Sequence, residues 1–240
     1  MSAATNTLPT RAAVLSPVGG IANFGWVAPD RLARGDQPYE CRSGYAALRQ
    51  AGVTSVISLR ETTELENTVA GIPVPPYDIG DEATFCRAHG LRFTHIPFLD
   101  RAILPVEDLA AALRAIDTEL AAGEVVYIHC MAGIGRTGVL AALWLLAHGA
   151  SGDEAARHFV SYWLEFEVRE EALLGPFPSS ILGRYGFPFQ WWTMQRLAEY
   201  FGSPIRGVYE GARAQEPDEP YAWLEECARH LAPWRRTERR

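Results

Sequence analysis

The residues best able to do chemistry stand together at 129–138, His-Cys-Met-Ala-Gly-Ile-Gly-Arg-Thr-Gly. Cys130 closes an apolar run, and Arg136 follows six positions later. A cysteine is a nucleophile as the thiolate, which needs positive potential around it. A guanidinium presents a planar fork that grips two oxygens of an anion. Backbone N–H groups of Met131, Ala132, Gly133, Ile134, Gly135 and Arg136 can curl around one centre as an anion nest, reinforced by a helix that starts at Arg136. Gly133 and Gly135 permit backbone angles that a side chain would oppose. The pattern reads as a nucleophile inside an oxyanion cradle, with Arg136 as the clamp. The same residues could also be a structural cysteine on a tight strand-to-helix turn.

A cradle of this kind needs a strand to deliver the cysteine and a helix to carry the arginine away. The apolar VVYIH at 125–129 predicts a central strand covered on both faces. A helix is expected from Arg136 to about His148. Upstream, 26–36 reads as short strands around a Pro-Asp turn, and 43–51 as a helix capped by Ser43 and ended by Gly52. The β-branched run VTSVISLR, 53–60, is a buried strand, and 61–82, with Pro73, Pro75 and Pro76, is loop. A helix at 82–89 and a strand at 91–98 follow. Leu109, Leu113, Ile116 and Leu120 recur at helical spacing between Pro105 and Ala122. Further helices are expected at 153–166, 189–201 and 219–231, with 168–188 a partly ordered insertion. Strands alternating with helices predict an α/β fold, a central mainly parallel sheet flanked by helices. Ligands bind beyond the carboxyl ends of such strands, where Cys130 would sit.

Bulk composition narrows the partners. Of 240 residues, 48% are apolar and 21% charged, enough for a filled core. A net charge of −7 argues against nucleic acid as a partner. Every one of the 22 basic side chains is arginine, so each cationic contact is a guanidinium. Cys41, Cys86, Cys130 and Cys227 are widely spaced with no C-x-x-C pair, which disfavours a metal site or disulfide framework. The apolar run from Gly138 to Ala147 is too short to span a bilayer. Residues 1–22 read as a loose leader without a signal pattern, and a reducing, cytoplasmic setting is expected.

The run HCMAGIGRTG resembles the signature loop of the cysteine-dependent protein tyrosine phosphatases, particularly the compact, atypical dual-specificity group. NFGWVAPDRLARGDQP, 23–38, is similar to the opening of small dual-specificity members, and VTSVISLRETTE, 53–64, to one of their strands. The resemblance implies a protein tyrosine phosphatase-like fold over 23–204, with extra C-terminal helices and an extension at 205–240. It also implies two-step chemistry through a cysteinyl-phosphate, without metal or cofactor. Substrates would be a phosphorylated protein or a small phosphoester. The family places an acid on a loop about thirty residues before the cysteine; Asp100 stands there, in HIPFLDRAILP. Asp108 is the next candidate, but an acidic residue in a helix's first turn is favoured by the helix dipole alone.

Thr137 could hydrogen-bond the cysteine sulfur and ease its departure, and His129 is expected to orient the loop by hydrogen bonding. Arg34, Asp36 and Arg60 read as mainly structural. Gln190 and Gln195 lie where related phosphatases place a water-positioning glutamine, with neither preferred. Cys86 could pair with Cys130 but reads better as a buried small hydrophobe. Some phosphatases that prefer inositol phosphates carry a lysine in this loop; Met131, Ala132 and Ile134 stand here instead. Phosphotyrosine or another phosphomonoester is therefore the leading expectation. A phosphoinositide or inositol-phosphate phosphatase is the second, and a non-catalytic phosphate-binding module the third. Oligomeric state is not legible.

Overall fold

The computed structural model describes residues 21–62, 68–69, 72–73, 79–174, 187–208 and 212–235; residues 1–20 of the expected leader and most of the 168–188 segment lie outside them, while Ile21 and Ala22 are part of the fold. The main sheet has five strands: β1 (Gly25–Ala28), β2 (Leu32–Gly35), β3 (Ser55–Ser58), β6 (Arg92–His95) and β7 (Val126–His129). Their spatial order is β1-β2-β7-β3-β6. β1 pairs antiparallel with β2, and the other pairings are parallel. A two-stranded pair, β4 (Thr68–Val69) with β5 (Ile72–Pro73), interrupts the stretch expected to be loop.

Alternation along the strands sorts the layers. Ala33, Tyr127 and Val56 lie in one register row and face a cluster with Tyr45, Leu48 and Cys86, covered by α1 (Gly44–Gln50) and α2 (Ile79–Ala88). Ile128 and Ile57 face the larger cluster, built on α3 (Val106–Ala121) and α4 (Arg136–Ala147). All twelve residues of α4 are buried, because α5 (Gly152–Leu174) and α6 (Phe187–Tyr200) pack outside it. A helix apolar all round needs such cover. The last helix, α7 (Pro220–His230), lies against α3.

Two local expectations are revised. Ser43 does not cap α1 through its side chain; it takes a left-handed conformation (φ 57°) that turns the chain out of a short 3-10 segment at 40–42. Helix α5 runs past the expected 166 to Leu174, because VREEALL offers helix formers and no breaker before Gly175-Pro176.

Candidate active site

Parallel pairing brings four strand ends to one edge. Gly35, His129, Ser58 and His95 form a single register row across β2, β7, β3 and β6. The segments leaving that row carry Asp36, Cys130–Arg136, Arg60 and Asp100, so residues scattered over a hundred positions meet beyond the sheet. Cys130 is buried in the first peptide after β7.

The loop after Cys130 is held by its carbonyls. Met131 O accepts from the Gln37 backbone N–H (3.0 Å), and Ala132 O from Asn23 Nδ2 (2.7 Å). Arg34 Nη2 donates to Gly133 O (2.5 Å) and Ile134 O (3.3 Å). None of the described peptides is cis. In a planar trans peptide the N–H opposes the C=O, so four carbonyls drawn toward residues 23–37 turn the N–H groups of residues 132–135 the other way. Gly133 has φ 69°, and a Cβ there would stand 2.1 Å from the Gly35 carbonyl carbon. Gly135 is glycine for a different reason from the one expected. Its φ is −77°, open to any residue, but a Cβ would lie 2.5 Å from the Gln190 amide.

Arg34 is the residue whose importance the sequence understates. It shares a register row with Ile128 and Ile57, so β2 points it under the loop toward α4 and α5. It is fully buried, and its guanidinium lies 3.7 Å from the centre of the Tyr162 ring. Burial lowers its pKa, against the opposing pull of Tyr162, Cys130 and Tyr127, so a thiolate at Cys130 would have this cation as an electrostatic partner.

Arg136 opens α4 and is buried. Its Nε lies 3.2 Å from Asp100 Oδ1, and its Nη1 donates to Phe98 O (3.3 Å). Asp100 is exposed, and its backbone N–H donates to Glu61 Oε1 (2.8 Å). The expected clamp and the expected acid therefore touch. Asp108 lies in the first turn of α3. Thr137 is buried, its Oγ1 without a hydrogen-bond partner among the described residues.

His129 donates from Nδ1 to Cys130 O (2.9 Å), since a carbonyl can only accept. Its Nε2 lies 2.6 Å from Glu82 Oε1. Glu82, on α2, is fully buried, with Arg60 Nη1 at 3.6 Å and a hydrogen bond from Ser58 Oγ (3.1 Å). Burial would raise its pKa; the His129 charge, then Arg60 and Ser58, outweigh that and hold it below the ordinary range. Of the two glutamines, Gln190 is the buried one against the loop, while Gln195 is half-buried. The cysteines are free; Cys86 is buried, and burial pushes its thiol well up.

A family model described as "Swiss Army Knife protein, DSP-PTPase phosphatase domain" matches residues 21–165. The chain belongs to this phosphatase family. Among solved structures, this phosphatase is similar to Tk-PTP in a glycine-to-alanine mutant form: 22% identity, 75% of this chain and 96% of that one covered, TM-score 0.50. It is also similar to TpbA of P. aeruginosa bound to pTyr (14% identity, 67% and 83% covered, TM-score 0.44). PTPMT1 bound to PI(5)P is a third (11% identity, 73% and 97% covered, TM-score 0.44). The first of these carries the fold, which is the compact cysteine-phosphatase α/β architecture. Asn23 and Arg34 belong to the opening stretch that resembles small dual-specificity members, yet nothing local signals that they hold the loop. Glu82 has no signal beyond an acidic first turn.

Proposed function

We propose that this phosphatase hydrolyses phosphotyrosine or other phosphomonoesters through a cysteinyl-phosphate, with Cys130 as nucleophile, Arg136 as phosphate clamp and Asp100 as general acid and base. The observation that supports this reading most is the 3.2 Å contact of Asp100 with Arg136 at the mouth of a loop whose carbonyls are drawn outward. A phosphoryl group in that cradle would take its negative charge to the inward N–H groups and to Arg136. Its oxygens would compete with Asp100 for the guanidinium, releasing the carboxyl group toward the leaving oxygen.

In the first step the thiolate attacks phosphorus, the P–O bond to the leaving group breaks, and Asp100 donates a proton to the departing oxygen. In the second, water attacks phosphorus, its proton passes to the Asp100 carboxylate, and the S–P bond breaks. His129, held between Glu82 and the Cys130 carbonyl, fixes the strand exit. Thr137, next to Arg136 at the start of α4, would donate to the departing sulfur.

The test is hydrolysis of 4-nitrophenyl phosphate in the presence of a chelator, followed by a panel of phosphotyrosine peptides, phosphoserine peptides and phosphoinositides. Cys130→Ser is expected to abolish turnover while retaining oxyanion binding. Turnover of phosphoinositides but not peptides would move the assignment to the inositol-phosphate class. No turnover of any phosphoester near pH 6 would leave a phosphate-binding module.

A further inference from the structure

The helix α7 lies beyond the residues that the family model matches, and it reaches the acid loop. Trp223, a buried residue of α7, donates its indole N–H to Leu104 O at 3.0 Å, across 119 positions of sequence. Leu104 ends the segment that carries Asp100, immediately before Pro105, the N-cap of α3. The other end of that segment is tied separately: Phe98 N–H donates to Leu59 O (3.1 Å) and Phe98 O accepts from Arg136. Residues 99–103 thus run between an anchor at the sheet edge and one at the C-terminal helix, with Asp100 itself also held by Glu61 and Arg136.

Trp223 is itself braced. Its ring meets Trp192 of α6 edge-on at 5.1 Å, and α6 is the helix whose Gln190 presses on Gly135 of the loop. Farther along, Trp234 Nε1 donates to Asp117 Oδ2 (2.7 Å) on α3. The extension therefore connects the two halves of the reaction centre: the loop that would hold phosphate, and the segment that would supply the proton.

We infer that Trp223 is a positioning residue for Asp100, setting through Leu104 where the carboxyl group stands relative to the leaving oxygen. This rests on the reading of Asp100 as the acid. Without the indole donor, the Leu104 carbonyl loses its partner and the C-terminal end of the 99–103 segment is loosened. The phosphate cradle keeps its own contacts, so the cost falls on proton delivery and leaves substrate binding intact.

The test compares the full chain with Trp223→Phe, Asp100→Asn and Trp234→Phe on a series of substituted phenyl phosphates. The readout is kcat/KM, which covers leaving-group departure, with KM followed separately. Trp223→Phe should lower the rate on phenyl phosphate about tenfold and on 4-nitrophenyl phosphate less than about twofold, because a good leaving group needs little protonation. KM should hold. Asp100→Asn should show the same signature more strongly, and Trp234→Phe, which loosens the extension elsewhere, should not show it. If Trp223→Phe folds poorly, β-(3-benzothienyl)alanine at position 223 keeps the bicyclic ring and removes only the N–H, and the same steepening is expected. Equal loss on all substrates, or no loss, in Trp223 variants while Asp100→Asn keeps its signature overturns the positioning role and leaves the acid in place. Loss of the leaving-group signature in Asp100→Asn itself overturns both.

Discussion

Replacing Arg34 by methionine separates how the loop is held from how the protein is held. The variant loses hydrogen bonds to Gly133 O at 2.5 Å and Ile134 O at 3.3 Å, and the stack on Tyr162 at 3.7 Å. Hydrogen bonds from a charged donor contribute about 1.5–3 kcal/mol each. Against this, the guanidinium is fully buried, and burial is the largest influence on its pKa, so the folded state also sheds a desolvation cost. Exchanging a buried charge for an apolar chain of similar bulk is often close to neutral in stability. A net change of about 1–2 kcal/mol is expected, a shift of roughly 2–8 °C in Tm for a chain of this size. Reactivity should move further. Without the fork the Gly133 and Ile134 carbonyls lose their donor, so the loop around Cys130 loses its shape and alkylation of Cys130 should slow about tenfold. Iodoacetamide alkylation of Cys130 at pH 6, with Tm measured in parallel, reads both quantities. Arg34→Lys keeps the charge and loses the fork, so it should fall between the two. Alkylation and turnover at wild-type rates in Arg34→Met would refute a cradle shaped and charged by this guanidinium.

Gly133→Ala places a methyl group 2.1 Å from the Gly35 backbone at φ 69°; overpacking of about 1–3 kcal/mol and about 1 kcal/mol or more of left-handed strain should lower the urea midpoint and abolish oxyanion binding. Glu82→Gln removes a carboxylate whose pKa is depressed in the fold, so its stabilisation is present above the ordinary carboxyl value of about 4.3 and lost as pH falls through the folded one. The variant should be less stable at pH 7 and show a shallower acid transition, checked by chemical denaturation from pH 7 to 3. His148 behaves oppositely. Burial opposes its charge, but Asp117 and the Trp144 carbonyl raise its pKa, so its stabilisation is present below about pH 6.5 and lost as pH rises through the raised value. Asp117→Asn should therefore flatten the dependence of Tm on pH between 6 and 8, checked by calorimetric scans across that range.

The strand–loop–helix that carries Cys130 and Arg136 is legible because all three parts are local and stand in about two dozen consecutive residues. Asp100 is legible as an acidic residue at a strand exit, and the structure places it against Arg136. Arg34, Asn23 and Glu82 are not, because strand register for Arg34, and packing of a helix and a pre-strand segment for Glu82 and Asn23, bring them to the loop from sites 47 to 109 positions away. Their types are far commoner on surfaces than in cores, so their types alone do not mark them as buried near the loop. The role of Gly135 escapes the sequence for a related cause: backbone freedom can be inferred from a glycine, whereas the approach of Gln190 from another helix cannot. The link from Trp223 to Leu104 joins residues 119 apart and leaves no periodic trace.

The outward carbonyls have a consequence for dissection of the molecule. They are gripped by Asn23, Arg34 and Gln37, so the proposed cradle is built from residues roughly a hundred positions before Cys130. Nicking or displacing that early segment would remove the grip on the loop while every signature residue stayed in place. Grafting residues 129–138 alone onto a foreign scaffold would transfer the letters without the shape.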